Sequence, residues 1–252
     1  MSDNRRVYRT IREAIVQLYP GEPKGNLARQ LTTLAALVSG IVMGKSCQLP
    51  TIASKAPDGA KADSRVKRYS RWMQNGRIEY EGYYLPFVQE LLYRLAEIHE
   101  LVFMIDGSEV GQGCITLMIS LLYGKRALPI TWLVVKGCKG HLPEHMHLQL
   151  LGQLQDILPP KARVIFLGDG EFDGIELQAA LQTMECRYVC RTAKNTLLYE
   201  DDHLFSFCDL LLQPDDLVSV PNVWFTKEGY GPVTVIAWWE RGYQEPIFLV
   251  TN

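Results

Sequence analysis

The sequence predicts a mixed α/β protein: a bundle of short helices, then a sheet with helices, then a β-rich segment. Three observations predict it. Apolar residues recur at helical spacing until about residue 99, and from Glu100 they gather into short, almost continuous runs, as in strands buried on both faces. After Asn195 the chain turns β-rich and irregular, broken by Pro214, Pro221, Gly229, Gly231 and Pro232 and anchored by Trp224, Trp238 and Trp239. With 252 residues, 47% hydrophobic and 21% charged, the chain has an ordinary soluble globular composition and can bury one substantial core, or a small domain plus a medium one. No run of eighteen apolar residues appears and Met1–Arg6 lacks the apolar stretch of a secretory signal, so a cytoplasmic location with no membrane partner is expected.

The helices are read first. Val7, Ile11, Ile15 and Leu18 predict one over residues 5–18, stopped by Pro20-Gly21. Leu27, Leu31, Leu34, Leu37 and Val38 form one face of a second, from about Asn26 to Met43, with Gly44 at its end. A short helix starts at Gln48–Ala53, Pro57-Asp58-Gly59 breaks the chain, and Asp63–Trp72 reads as a fourth helix. A long amphipathic helix is expected from roughly Tyr80 to His99.

The strands follow. Leu101–Ile105 stops at Asp106-Gly107, and Ile115–Tyr123 and Leu128–Val135 are separated by the short turn Gly124-Lys125-Arg126. Residues 144–157 are helical and end before Pro159-Pro160; Arg163–Leu167 is a fourth strand ending at Gly168-Asp169-Gly170. A helix from about Gly174 to Met184 and the strand Arg187–Cys190 come next. Three meandering strands followed by alternating helix and strand build an RNase H-like sheet, with its first three strands antiparallel and the rest parallel. The expected organisation is a helical DNA-binding region over 1–78, the first part of the RNase H-like core over 79–194, and a β-rich insertion with the start of the return to the core over 195–252.

Charge is divided along the chain. The net charge of −2 argues against a protein that coats nucleic acid with its whole surface, yet residues 1–77 carry +9 and residues 78–252 carry −11. A basic front half suits phosphates and an acidic back half suits divalent cations. Arg65, Lys67, Arg68 and Arg71 lie beside Tyr69 and Trp72 in the fourth helix, either as DNA contacts or as a solvated cationic face over an aromatic core anchor. The six cysteines are scattered, without a CxxC pair, and are read as reduced, buried thiols.

Asp106 and Asp169, 63 residues apart, follow the first and fourth strands. An Asp-Gly at a strand end is usually a turn. Two of them, at the C-terminal ends of neighbouring buried strands, put both carboxylates at one edge of the sheet. Oxygen ligands in that arrangement suit divalent metals for phosphodiester chemistry, where one metal activates the attacking oxygen and another stabilises the leaving one.

Phe103-Met104-Ile105-Asp106-Gly107-Ser108 and Phe166-Leu167-Gly168-Asp169-Gly170-Glu171-Phe172 resemble the first and second acidic motifs of insertion-sequence transposases of the DDE class, retroviral-integrase-like in their catalytic domain. Many relatives read Asp-Arg-Glu-Phe in the second motif; here Gly170 replaces the basic residue and Glu171-Phe172 is kept. The resemblance covers most of the chain, because those transposases also begin with a helical DNA-binding region and carry a β-rich insertion after the second aspartate. It implies a DNA transposase that acts in DNA transposition and recombination. Asp106 and Asp169 would hold Mg2+ or Mn2+, and the partners would be transposon-end and target DNA and either further copies or a full-length transposase.

The family's third carboxylate is a glutamate on a helix after the insertion. Residues 246–252 resemble the strand and Thr-Asn that precede that helix, so the resemblance implies a C-terminally truncated transposase, inactive alone. Glu228, Glu240 and Glu245 lie between strand-like or turn-rich pieces, and Glu171 belongs to the second motif. The alternative is a non-catalytic DNA-binding or regulatory fragment that joins a mixed multimer.

Other motifs are weaker. Gly168–Asp173 also fits the Gly-Asp-Gly-x-x-Asp element of haloacid-dehalogenase-like phosphatases, but Asp106 lacks the second aspartate two positions on that such enzymes use. Asp169–Gly174 mimics the start of an EF-hand, whose twelfth place is here Ala180 rather than a glutamate. His141, His145 and His147 lack a clear fourth zinc ligand and are read as polar caps and DNA-proximal side chains. Neither a GxGxxG run nor a phosphate loop is present.

Overall fold

The computed structural model describes residues 3–137, 142–201 and 203–252, and the chain forms two compact units, Met1–Arg94 and Leu95–Asn252. The first unit is helical: α1 (Asp3–Leu18), α2 (Gly25–Gly44), α3 (Leu49–Lys55), α4 (Ala62–Met73), α5 (Tyr80–Tyr83) and α6 (Leu85–Ala96). Ala36, Leu37, Ile52, Ala53, Ala56 and Tyr69 make its core, with Tyr8, Leu49, Val66 and Trp72 packed around them. Gly40 lets α3 approach α2 closely, since a Cβ there would lie 2.5 Å from Cγ2 of Ile52. By length and composition α2 is apolar enough to cross a membrane, a property it shares with core helices; Leu31, Ala35, Ala36, Leu37, Ser39 and Gly40 are buried.

The long helix expected over Tyr80–His99 is instead two helices, α5 and α6. The break falls at Tyr84, whose backbone leaves the helical region (φ −130°, ψ −53°). Pro86 explains it. Proline has no N–H to offer the carbonyl four residues back, and it is tolerated only in the first turn of a helix. The carbonyl it would have bonded, that of Gly82, accepts the Tyr19 hydroxyl at 3.3 Å.

The second unit contains β1 (Leu101–Gly111), β2 (Cys114–Tyr123), β3 (Arg126–Lys136), α7 (Glu144–Gln155), β4 (Val164–Gly168), α8 (Ile175–Thr183) and β5 (Arg187–Arg191). It continues with β6 (Leu197–Glu200), β7 (His203–Ser206), β8 (Leu217–Phe225), β9 (Tyr230–Trp238) and β10 (Ile247–Thr251). All ten strands form one sheet in the order β3-β2-β1-β4-β5-β10-β9-β8-β6-β7. β1, β2 and β3 are antiparallel, β1, β4 and β5 are parallel, and β10 runs antiparallel to β5. The first five strands thus have the directions and sequential hairpins expected from the sequence, and the β-rich residues after 195 carry the same sheet onward through β10.

One boundary differs. β1 does not stop at Ile105 but runs to Gly111, so Asp106 lies within the strand, paired with Met118 of β2. The apolar run marks burial, which fades where β4 ends, whereas the ladder with β2 needs no apolar side chains and continues to Gly111↔Cys114. Before that point, alternate residues of β1 enter the core: Leu101, Phe103 and Ile105 are buried with Phe166 and Tyr188 of the neighbouring strands. α7 lies against β2 and β3, and α8 against β5. They contribute Leu150, Leu151, Leu154, Leu177 and Leu181, each roughly 1.5–3 kcal/mol of burial. The last two residues extend the β5–β10 ladder with side chains: the Thr251 hydroxyl donates to the Tyr188 carbonyl at 2.6 Å, and Asn252 accepts from the Tyr188 amide and donates to the Cys186 carbonyl.

Candidate active site

The parallel pairing of β1 with β4 ends at Ile105↔Gly168. The next residue on each strand is an aspartate. Adjacent strands lie about 4.8 Å apart, so Asp106 and Asp169 leave the end of the pair level with one another. Both are exposed. The Ser108 hydroxyl donates to Oδ2 of Asp106 at 3.2 Å, and the amide of Glu171 donates to Oδ1 of Asp169 at 3.0 Å. The second contact closes an Asx turn that starts the loop after β4.

That loop is anchored from below. Phe172 is buried (1% exposed) and its amide donates to the Asp169 carbonyl at 3.0 Å. Gly168 makes room for it: a Cβ at 168 would lie 2.8 Å from Phe172 Cβ and 3.1 Å from Cys190 Sγ. With Phe172 turned in, Asp169 is left at the surface. Farther along, Asp173 accepts the Thr192 hydroxyl at 2.6 Å, and its carbonyl accepts the Gln178 side chain at 2.6 Å. Burial pushes the Asp173 carboxyl up, and the Thr192 bond offsets part of that. Glu144, at the start of α7, accepts the Leu177 amide at 2.9 Å and so satisfies a free N–H in the first turn of α8. Its carboxylate lies over Gly174 where a Cβ would sit. Sequence reasoning did not single out Glu144, because a carboxylate that caps a helix distant in sequence leaves no local pattern; Asp173 was noted only as the last residue of the Gly-Asp-Gly-x-x-Asp run, and its bonds are to Thr192 and Gln178.

Of the other acidic candidates, Glu171 reaches back over β1, with Oε2 3.7 Å from the position of a Cβ on Gly107. Gly107 and Asp106 point to opposite faces of β1, so this places Glu171 at the same end of the sheet but on the buried side. Glu228 belongs to the turn between β8 and β9, where it accepts the Thr226 hydroxyl, and Glu240 and Glu245 belong to the β9–β10 connection. Mg2+ is commonly held by one or two carboxylates, with water and substrate phosphates filling its remaining positions. Asp106 and Asp169 fit such an open site. A closed cage is a different matter, since among the described residues no group of three His, Cys, Asp or Glu side chains is placed to hold a metal. A hollow of about 600 Å3 opens at the opposite ends of β1, β4 and β5, where Glu100 pairs with Arg163 and Arg187.

The predicted basic residues separate. Arg65 is mostly buried (12% side-chain exposure), bonded to the Asp58 carboxylate at 2.5 Å, to the Asp58 carbonyl and to the Ala53 carbonyl. It fastens the α3–α4 loop. Arg68 also bonds Asp58, at 2.6 Å, and lies over the Tyr69 ring at 5.1 Å, while Lys67 and Arg71 are exposed. Among the histidines, His141 lies outside the described residues. His147 is buried against Phe172 with Nε2 lacking a partner, rather than capping a helix at the surface, and burial pulls its pKa down. The cysteines are also more varied than expected: Cys186 and Cys190 are buried, with burial pushing their thiols up to about 11 and about 12, whereas Cys47 and Cys208 are exposed.

No known family profile matches the chain, and no curated protein matches it. Among solved structures, the chain is similar to the piggyBac transposase in its synaptic complex with hairpin DNA, at 10% identity and a TM-score of 0.45. That likeness covers 98% of this chain, which spans only 57% of the piggyBac chain. It is also similar to the catalytic domain of human endonuclease V (16% identity, TM-score 0.33, 60% of this chain and 67% of that one). Endonuclease V of Ciona intestinalis, in complex with a 23mer DNA containing an inosine, gives 13% identity and a TM-score of 0.30, over 66% of this chain and 79% of that one.

Proposed function

We propose that this protein processes DNA as a transposase does, with Asp106 and Asp169 as two carboxylates of a divalent-metal site and the basic helical unit as the part that holds DNA. The observation that carries the reading is the Ile105↔Gly168 register, which brings two aspartates 63 residues apart to one edge of a β3-β2-β1-β4-β5 sheet. The motif resemblance around both residues supports it. Asp106 and Asp169 would hold Mg2+ or Mn2+, and the bound metal supplies activation of an attacking oxygen and stabilisation of a leaving one. The chain's own contribution is orientation: Ser108 holds one carboxylate oxygen of Asp106, and the Glu171 amide holds one of Asp169.

The test is nicking of a supercoiled plasmid carrying the DNA ends that flank the gene, with and without Mg2+ or Mn2+, by the wild-type chain and by Asp106→Ala and Asp169→Ala. Metal-dependent nicking lost in both variants supports the reading. Binding of the same DNA with no nicking by any of the three chains assigns the non-catalytic role in a mixed multimer instead.

A further inference from the structure

The helical unit carries a hollow of about 520 Å3 between α2 and α4. Its α4 wall is Ser64, Lys67, Arg68, Arg71 and Trp72, continued by Asn75 just past the helix end. These positions recur at intervals of three and four, so they form one stripe along the helix. From Ser64 to Trp72 the stripe is about 12 Å long at 1.5 Å per residue. Gln30 and Thr33 of α2 make the opposite wall. The lining therefore holds three cations, several neutral hydrogen-bonding side chains and no carboxylate, in a protein whose net charge is −2.

The surroundings strengthen the bias. Residues 24–77 contain ten Lys and Arg against two Asp. One of those two, Asp58, already bonds both Arg65 and Arg68. Among the described residues, no carboxylate lies within ion-pair distance of Lys67 or Arg71. A second hollow, of about 430 Å3, shares Thr33 and Arg68 with the first and adds Arg5 of α1 and the Asp58 carboxylate already bonded to Arg68. Cations set out along a line, rather than converging on one point, suit a chain of negative charges more than a single small anion. Gln30, Thr33, Ser64 and Asn75 are side chains of the kind that contact phosphate oxygens in nucleic-acid complexes.

We infer that the α2–α4 groove is a track for the sugar-phosphate backbone of DNA, engaged by Lys67 and Arg71 and continued to Arg5 in the adjoining hollow, with Arg68 shared between phosphate and Asp58 and with Arg65 excluded as an internal fastener. The inference rests on the DNA-processing reading for its choice of polyanion. It goes further by naming which helix faces touch DNA, by adding Arg5 and Gln30, and by removing Arg65. The contacts are to backbone and carry no sequence information.

Binding of the full chain to a fluorescent duplex, measured by anisotropy across a salt series, tests it. Three phosphate contacts give a slope of log K against log salt of about −2.7, at about −0.9 per phosphate on B-form DNA. Lys67→Ala and Arg71→Ala are each expected to weaken binding and make the slope shallower by about 0.9, and the double variant by about twice that. Gln30→Glu, which puts a carboxylate on the α2 wall without changing size, is expected to weaken binding on the order of tenfold, equivalent to about 1.4 kcal/mol. Arg65→Met is expected to keep the wild-type slope while lowering the thermal midpoint. Circular dichroism of each variant checks that it is folded.

A double variant that is folded and keeps the wild-type slope overturns the groove and leaves DNA binding standing. No duplex binding by the wild-type chain overturns the reading beneath it. Polyglutamate bound as tightly as duplex, with the same dependence on Lys67 and Arg71, assigns the groove to an acidic protein segment and overturns the inference.

Discussion

Two carboxyls in this chain, the exposed Asp58 and the half-buried Asp173, are perturbed in opposite directions. For Asp58, burial alone would raise the pKa, but hydrogen bonds from Arg68 and Arg65 and the charge of Arg68 hold it below the ordinary carboxylate value. A depressed carboxyl stabilises the fold above its unfolded pKa and loses that contribution as pH falls through the folded value. Asp58→Asn is therefore expected to cost about 1 kcal/mol at neutral pH and nearly nothing in strong acid, read from denaturant unfolding at several pH values. Asp173 works the other way. Burial raises its pKa, so its contribution is most favourable below the ordinary carboxyl pKa and declines as pH rises through the raised value. Asp173→Asn, which preserves an acceptor for Thr192, is expected to flatten the fall in stability between mildly acidic and neutral pH. A variant with an unchanged pH slope contradicts the assignment.

A third residue-scale prediction concerns Gly174. Its need for a glycine comes from the Glu144 carboxylate lying over it, not from its own backbone. Gly174→Ala is expected to cost about 1–3 kcal/mol through overpacking and displacement of Glu144 from the Leu177 amide. In a Glu144→Ala background the same change is expected to cost clearly less, and a double-mutant cycle measures the difference. Additive costs would show that Glu144 and Gly174 do not interact.

At the scale of elements, helix and strand identities were largely legible, because spacing at three and four or short apolar runs reflect the face each element buries. The exceptions have local causes. Pro86 divides the helix expected over Tyr80–His99, and the periodicity ran through the break because apolar residues continue on both sides of it. Pro86→Ala restores the missing N–H, and far-UV circular dichroism is expected to show added helical signal; an unchanged spectrum would place the cause of the break elsewhere. β1 runs past Asp106 because hydrogen-bonding to β2 continues where burial has stopped. The helical stripe of α4 could be recognised as basic, yet its division into a fastener, Arg65, and an open track, Lys67 and Arg71, depends on Asp58 folding back from the α3–α4 loop.

For the whole molecule, the proposed metal site would be a property of two distant segments acting together. Binding of Mn2+, followed by electron paramagnetic resonance, is expected to be weak in the wild-type chain and lost in Asp106→Ala and in Asp169→Ala. The double variant should show no further loss, because neither carboxylate alone holds the ion. Full Mn2+ binding by either single variant would mean that the two aspartates do not share an ion. The separation of charge, basic before residue 78 and acidic after it, is consistent with one part that meets phosphate and another that meets metal.

The sequence by itself determined the sheet's first five strands, an aspartate just past the apolar run of the first and of the fourth, and the basic helix, since each is written in local periodicity and composition. Tertiary structure alone decided what joins them. Register between β1 and β4 brings Asp106 level with Asp169. Close packing at Gly168 and Gly174 sets the loop beside them, Glu144 caps a helix 33 residues away, and Asp58 removes Arg65 from the basic surface. The reason is physical: periodicity records which face of an element is buried, whereas register, capping and ion pairing between distant segments depend on where the chain returns in space.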